Sequence, residues 1–424
     1  MELKIQDGKL LVEGEMHLQR SPDELFEVLR FLLKRYRDDT ERKHPFFTGG
    51  AIGYWGYEMA ALFEKIKFRS KSGGQLPDLS LGFYRDLLVF DHRKRTYYLV
   101  TNVYSQKALA SRDKETLAGK SLSRLEKFIS GKRERNHKEE RDGDNFHLKN
   151  FRPDIPKTRF EKIVRRTQSY IRAGDIYQAN LSQRFQFRFK GSSLRLYDQL
   201  RQINPSPFAS FLKLRDLEIL SSSPERLIRK RGNSCETLPI AGTRPRQQTG
   251  KTEKGLVREL LSHPKERAEH IMLVDLERND LGRVCDWPTI QVKEMMKIER
   301  YSHVVHMVSR ITGRLKKDKD GFDLISAMFP GGTITGCPKV RCMEIIDELE
   351  PMRRGIYTGS IGYIDFRGDL DLNIVIRTLV LEKARGYLQV GAGIVVDSDP
   401  AREYEETIHK GEALTEALVQ ASAG

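Results

Sequence analysis

Residues 359–396 read GSIGYIDFRGDLDLNIVIRTLVLEKARGYLQVGAGIVV. Their apolar runs divide into three strand patterns, 359–366, 370–381 and 387–396, with no helical stretch between them. Working outward, 208–214 and 217–221 read as another pair of strands, and 176–189 as a long strand with alternating apolar positions. Residues 160–173 read as a helix closed by Gly174. Strands that follow one another, with helices inserted rather than strictly alternating, predict an α+β fold. We expect large antiparallel sheets packed together with helices on the outside, not a doubly wound parallel sheet.

Toward the N-terminus, 87–90 and 96–100 flank Asp91-His92-Arg93-Lys94, the pattern of a hairpin. In 49–57, GGAIGYWGY, glycines beside aromatics predict a strand whose backbone is closely approached. Residues 131–145, GKRERNHKEERDGDN, have almost nothing to bury and predict a surface connector. That seam divides the chain into an N-terminal subdomain, 1–145, and a catalytic domain, 146–424.

With 424 residues, 38% of them hydrophobic, the chain can build one large or two ordinary cores. No apolar run approaches the roughly 20 residues needed to cross a bilayer, and Met1 to Asp7 lacks the layout of a signal peptide, so a cytoplasmic location is expected. Four cysteines with no Cys-x-x-Cys pair argue against a disulfide framework and a structural zinc. A formal charge of +15 suits nucleic acid or small anions. Lys and Arg are interspersed with acids and no nucleic-acid-binding motif occurs, which favours the small anion.

Four segments can carry chemistry. Pro264-Lys265-Glu266-Arg267-Ala268-Glu269-His270 opens a helix with two carboxylates three apart, on one face. Asp399-Pro400-Ala401-Arg402-Glu403-Tyr404-Glu405-Glu406 opens another, with Lys410 further along. Repelling pairs of this kind ask for a counter-ion, and Mg2+, a hard cation satisfied by carboxylate oxygens, is the natural one. In 330–339, PGGTITGCPK, glycines ahead of a helix offer N–H groups to an anion. It is not a P-loop, since Cys337-Pro338 follows Gly336, so a carboxylate is the expected ligand. The fourth segment pairs SSSPER, 221–226, with PIAGTRPR, 239–246.

Together these segments resemble the chorismate-utilising synthases: component I of anthranilate synthase and of aminodeoxychorismate synthase, with isochorismate and salicylate synthases as relatives. The resemblance is close over 160–418 and looser over 49–101, and it is carried most specifically by GTITGCPKVRCMEIIDELEP, 332–351, and RAEHIMLVDLERNDLGRV, 267–284. It implies that Glu269 and Glu406 hold Mg2+, with Glu266 and Glu403 close behind. It implies further that Arg377, Tyr357, Lys410 and the backbone at Gly391 and Gly393 bind the substrate's two carboxylates, and that Thr333 lines the ring pocket. Glu225 would be the general acid for the departing C4 hydroxyl, with a raised pKa. His306, in YSHVVH, 301–306, resembles the family's active-site histidine.

Gln178 stands where the water-adding relatives resemble one another in having a lysine base, and an amide cannot deprotonate water. Ammonia is therefore the expected nucleophile, supplied by a separate glutamine amidotransferase subunit, because no cysteine here sits in a glutaminase elbow. On the branch, the residues divide. Ala241, where aminodeoxychorismate synthases typically carry a nucleophilic lysine, and Thr333, where they carry serine, are anthranilate-like. The segments DLERND, 275–280, PDLSLGFY, 77–84, and GGTITG, 331–336, lean toward the aminodeoxychorismate branch, as does an N-terminus without a Leu-Leu-Glu-Ser element.

Overall fold

The computed structural model describes residues 1–37, 44–69, 76–104, 111–131, 148–246, 252–300 and 304–423. Beyond Gly131, the expected connector lies outside these residues. By its internal contacts the chain divides into two units: 1–54, 79–143 and 362–370 form the first, and 55–78, 144–361 and 371–424 the second. The segment 55–78, which precedes the sequence seam, thus belongs with the second unit, and 362–370 with the first.

In the first unit, Glu2–Gln6 pairs antiparallel with Lys9–Glu13 and with Leu79–Tyr84, and Leu18–Arg20 extends the row. Alternation puts Leu3, Ile5, Leu10 and Val12 on its buried face. The hairpin Asp86–Asp91 with Thr96–Thr101 forms where expected. A Cβ on Gly50 or Gly53 would fall about 2 Å from the carbonyl oxygens of Ile364 and Ser80 respectively, so the close backbone approach read from 49–57 is real.

The second unit carries strands in two sheets. One places Ile240–Pro245, Val304–Arg314, Ser234–Thr237, Arg226–Arg231 and Leu370–Asn373 side by side, with Gln291–Arg300 also on Val304–Arg314. The other, seven-stranded, runs Phe208–Leu214, Leu217–Ser223, Thr378–Glu382, Arg385–Ile394, Gln178–Arg188 and Gly336–Cys337, with Lys149–Pro153 also on Gln178–Arg188. Phe185, Phe187, Leu388 and Val390 of this sheet pack with Leu196 and Leu200 of helix Ser193–Ile203 and with Leu414 and Leu418 of helix Pro400–Ala423. Phe160, Ile163 and Val164 of helix Lys157–Arg172 join Leu181, Ala392 and Ile394 in a neighbouring cluster. Antiparallel sheets with helices packed on them are the α+β class expected.

One expectation needs correction. The run 370–381 is not a single strand: Leu370–Asn373 belongs to the first of these sheets and Thr378–Glu382 to the seven-stranded one. Between them the chain changes sheets, with Arg377 at φ +53°. The crossing is held by backbone bonds, Ile374 N to Glu225 O at 3.0 Å, Val375 N to Gly359 O at 2.9 Å, Thr358 N to Val375 O at 2.8 Å and Ser222 N to Arg377 O at 3.0 Å. Four otherwise orphaned polar groups are satisfied there, which fixes where the crossing occurs.

Candidate active site

The sheet crossing gathers Glu225, Arg377 and Tyr357, the last beside Thr358, at one place. Glu225 is 4% exposed and receives the Ile240 N–H at 3.4 Å. Burial raises its carboxyl to about 7, against partial opposition from the nearby Thr333 hydroxyl and that N–H. The Thr333 hydroxyl is buried and falls short of a hydrogen bond, so it polarises Glu225 without being satisfied by it. Glu225 is thus a carboxylic acid able to donate a proton near neutral pH.

Arg377 keeps only part of its surface in water, and burial lowers its pKa, against the favourable influence of Tyr357 and Glu406. Its guanidinium has no ion-pair partner among the described residues, an arrangement complementary to an anionic ligand. Tyr357 is buried, which raises its hydroxyl pKa and keeps it a neutral donor. His306 is 7% exposed. Burial and the charge of Arg377 hold it down at about 4, against opposition from the Gly242 backbone, so it is neutral at physiological pH. Gly242, at φ +77°, sits at a bulge between Ala241 and Thr243, the irregularity that turns this strand toward the histidine. Ala241 is itself buried, following Ile240.

Gly391 and Gly393, two apart, share one face of strand Arg385–Ile394. A Cβ on Gly391 would lie 2.7 Å from the Tyr357 hydroxyl and 2.5 Å from Asn180 Oδ1; one on Gly393 would lie 2.6 Å from Gln178 Nε2. Gln178 is buried and donates to Glu269 Oε1 at 2.9 Å, while its own Oε1 has no partner. Lys410 donates to the Gly391 carbonyl at 3.0 Å and pairs with Glu406 at 2.6 Å.

The four glutamates come to the site differently. Glu269 meets Gln178 and Glu406 meets Lys410. Glu266 is already ion-paired with Arg244 at 2.6 Å, leaving Oε2 unbonded. Glu403 is 8% exposed with Oε2 likewise unbonded; its pKa is raised by burial and by Glu406, and Lys265 of the other glutamate-bearing helix acts in the opposite direction. Among the described residues no three acidic, histidine or cysteine side chains form a ready-made metal cage. Mg2+ does not require one, since it commonly keeps several waters and takes one or two carboxylates. Two unbonded buried carboxylate oxygens in an all-oxygen donor set fit such an ion.

Two features escaped the sequence reading. Arg354, 2% exposed, bonds Glu350 at 2.8 Å, the Ile334 carbonyl at 2.9 Å and the Asn180 carbonyl at 2.6 Å, and its guanidinium lies 5.7 Å from the Tyr357 ring centroid. It therefore ties the Thr333 turn, the Gln178 strand and Tyr357 together. Glu277, also buried, accepts the Thr237 hydroxyl at 3.3 Å. Each lies among ordinary charged residues in sequence, with no local signal to distinguish it.

The chain matches the model of the chorismate binding enzyme family over residues 9–416. It is 42% identical to aminodeoxychorismate synthase component 1 of Bacillus subtilis, over 98% of this chain and 87% of that protein. It is 39% identical to anthranilate synthase component 1 of Aquifex aeolicus, over 97% and 82%. The solved anthranilate synthase component I of Streptococcus pneumoniae superposes with a TM-score of 0.84 at 36% identity, covering 98% of this chain and 89% of that one. With a family model matched over nearly the whole chain and relatives about 40% identical, this chain belongs to the chorismate binding enzyme family.

Proposed function

We propose that this chain aminates chorismate with ammonia in the presence of Mg2+, as component I of an aminodeoxychorismate synthase, with a glutamine amidotransferase subunit as the ammonia source. The observation that carries amination is Gln178: an amide donating to Glu269 cannot serve as the base that activates water. Relatives named component 1 support a second subunit.

In this reading Arg377, Tyr357, Lys410 and the strand at Gly391 and Gly393 receive the carboxylates of the dianion. Glu225 delivers a proton to the leaving C4 hydroxyl, and Thr333 borders the ring. His306 stays neutral. Glu269 and Glu406, backed by Glu266 and Glu403, would hold Mg2+, which supplies charge neutralisation at the substrate carboxylate.

The branch is read from framework segments, with a match to the Bacillus protein over nearly the whole chain. A second reading, anthranilate synthase component I, has Ala241 and Thr333 in its favour, since no lysine stands at 241 to form a covalent intermediate. Incubation with chorismate, Mg2+ and ammonium separates the two. A product that yields 4-aminobenzoate only after a lyase is added supports the first, and anthranilate released directly supports the second. If Glu269→Gln or Glu406→Gln turned over at the normal rate, the metal assignment would be lost.

A further inference from the structure

Gln178 and Asn180, two apart on strand Gln178–Arg188, project from one face of the sheet, and each carries a buried side-chain oxygen with no hydrogen-bond partner among the described residues. For Gln178, 4% exposed, the orientation of the amide is fixed: Nε2 donates to a Glu269 carboxylate oxygen at 2.9 Å, so Oε1 is the free end. The Asn180 backbone is engaged on both sides, its N–H donating to the Thr335 carbonyl at 2.9 Å and its carbonyl accepting from Arg354 at 2.6 Å. Asn180 Oδ1 takes no part in holding the strand. The facing strand bears glycine at both neighbouring positions. Gly393 is paired with Asn180, and a Cβ on Gly391, two residues before it, would lie 2.5 Å from Asn180 Oδ1 and 2.7 Å from the Tyr357 hydroxyl. No side chain from these two positions covers the amides, and Asn180 Oδ1 and the Tyr357 hydroxyl flank the same point.

We infer that Asn180 joins Gln178 in a subsite for the attacking ammonia, each amide oxygen accepting one of its N–H bonds. The inference rests on the amination reading given above. Two acceptors beside Glu269 repel a carboxylate and suit a small ligand rich in hydrogen-bond donors. Residues two apart on a strand are separated by roughly 6.6 Å, so both side chains can reach one small molecule. Ammonia can give a hydrogen bond to each amide and keep its lone pair for carbon. Water satisfies the same oxygens but needs a base to become a nucleophile, and an amide is not one. In the step itself the nitrogen lone pair forms the C–N bond as the C4–O bond breaks, and the Glu225 proton departs with the hydroxyl as water. The nitrogen, now cationic, loses one proton, which returns Glu225 to its acid form.

The test is chorismate consumption by the full chain with ammonium as the nitrogen source and saturating Mg2+ at fixed alkaline pH, for the wild type and Asn180→Ala. The variant is expected to raise KM for ammonia at least about threefold, the effect of losing one neutral hydrogen bond, while KM for chorismate stays as in the wild type. Its melting temperature should not fall, because the oxygen it removes has no partner to lose. An unchanged KM for ammonia overturns the proposal, and so does a KM for chorismate that rises in step with it, since Asn180 would then serve the substrate. Consumption by the wild type that does not depend on ammonium overturns instead the amination reading, which keeps the two failures apart. Should Asn180→Ala not fold, Asn180→Leu, branched like asparagine but without an acceptor, is expected to show the same split between the two KM values.

Discussion

Gln178 Nε2 donates to Glu269 Oε1 at 2.9 Å, and a Cβ on Gly393 would fall 2.6 Å from that nitrogen and 3.7 Å from that oxygen. One strand position thus governs whether the amide and the carboxylate stay in register.

Gly393→Ala is expected to push Gln178, a flexible side chain, off Glu269 while leaving the fold intact, with at least a tenfold loss of kcat/KM, or about 1.4 kcal/mol. Gly391→Ala differs, because its Cβ also meets the Leu181 carbonyl at 2.7 Å, which is backbone. It should cost about 1–3 kcal/mol of stability as well. Gly411→Ala, with nothing nearer than 3.7 Å, should be neutral or stabilising. Thermal melts and chorismate turnover on the three variants check the order.

Glu225→Gln should abolish most turnover yet stabilise the protein at alkaline pH. The folded-state pKa, about 7, is raised above the ordinary value of 4.5. The stability linked to this group is therefore fully present below about pH 4.5 and lost as pH rises through 7. At pH 8 the wild type carries a buried charge costing about 3 kcal/mol by that shift, which the amide avoids. Melting curves at pH 5 and pH 8 should converge at the lower pH; a variant less stable than wild type at pH 8 would contradict the assignment.

Arg377→Met should raise KM for chorismate by at least about 30-fold, the lower end for removing one partner of a buried charge pair. Without ligand its melting temperature should not fall, because the cation it removes has no ion-pair partner among the described residues. Equal damage to stability and binding would show that Arg377 is mainly structural.

Arg354→Met should cost about 3–5 kcal/mol, since Glu350 would be left as an uncompensated buried charge. The double variant Arg354→Met, Glu350→Met should recover much of that loss in denaturant unfolding. Turnover should not recover with it, because the bonds to the Ile334 and Asn180 carbonyls, which hold the Thr333 turn and the Gln178 strand, remain absent.

Much of the fold was legible because periodicity is local. The helix starts at Pro264 and Pro400 and the strand patterns within 176–189, 208–214 and 387–396 all form, within a few residues of their expected ends. Of the residues named for the site from motif positions, Gln178 meets Glu269 beside Gly393, and Lys410 meets the Gly391 carbonyl. Not legible was the state of each group: Glu266 held by Arg244, Lys410 by Glu406, and Glu277 by the Thr237 hydroxyl. These partners lie from 4 to 40 residues apart, and nothing in residue order distinguishes a carboxylate that meets an arginine from one that meets water.

The amino-acid sequence by itself determined the element types and the chemical inventory, because side-chain period, caps and residue identity are properties of neighbouring positions. Only the tertiary structure decided that 370–381 divides between two sheets. An apolar run looks the same whichever sheet buries it, and the crossing is set by backbone bonds to Ser222, Glu225, Thr358 and Gly359. The same crossing brings together Glu225, Arg377 and Tyr357, and with them the buried environment that makes an ordinary glutamate an acid near neutral pH.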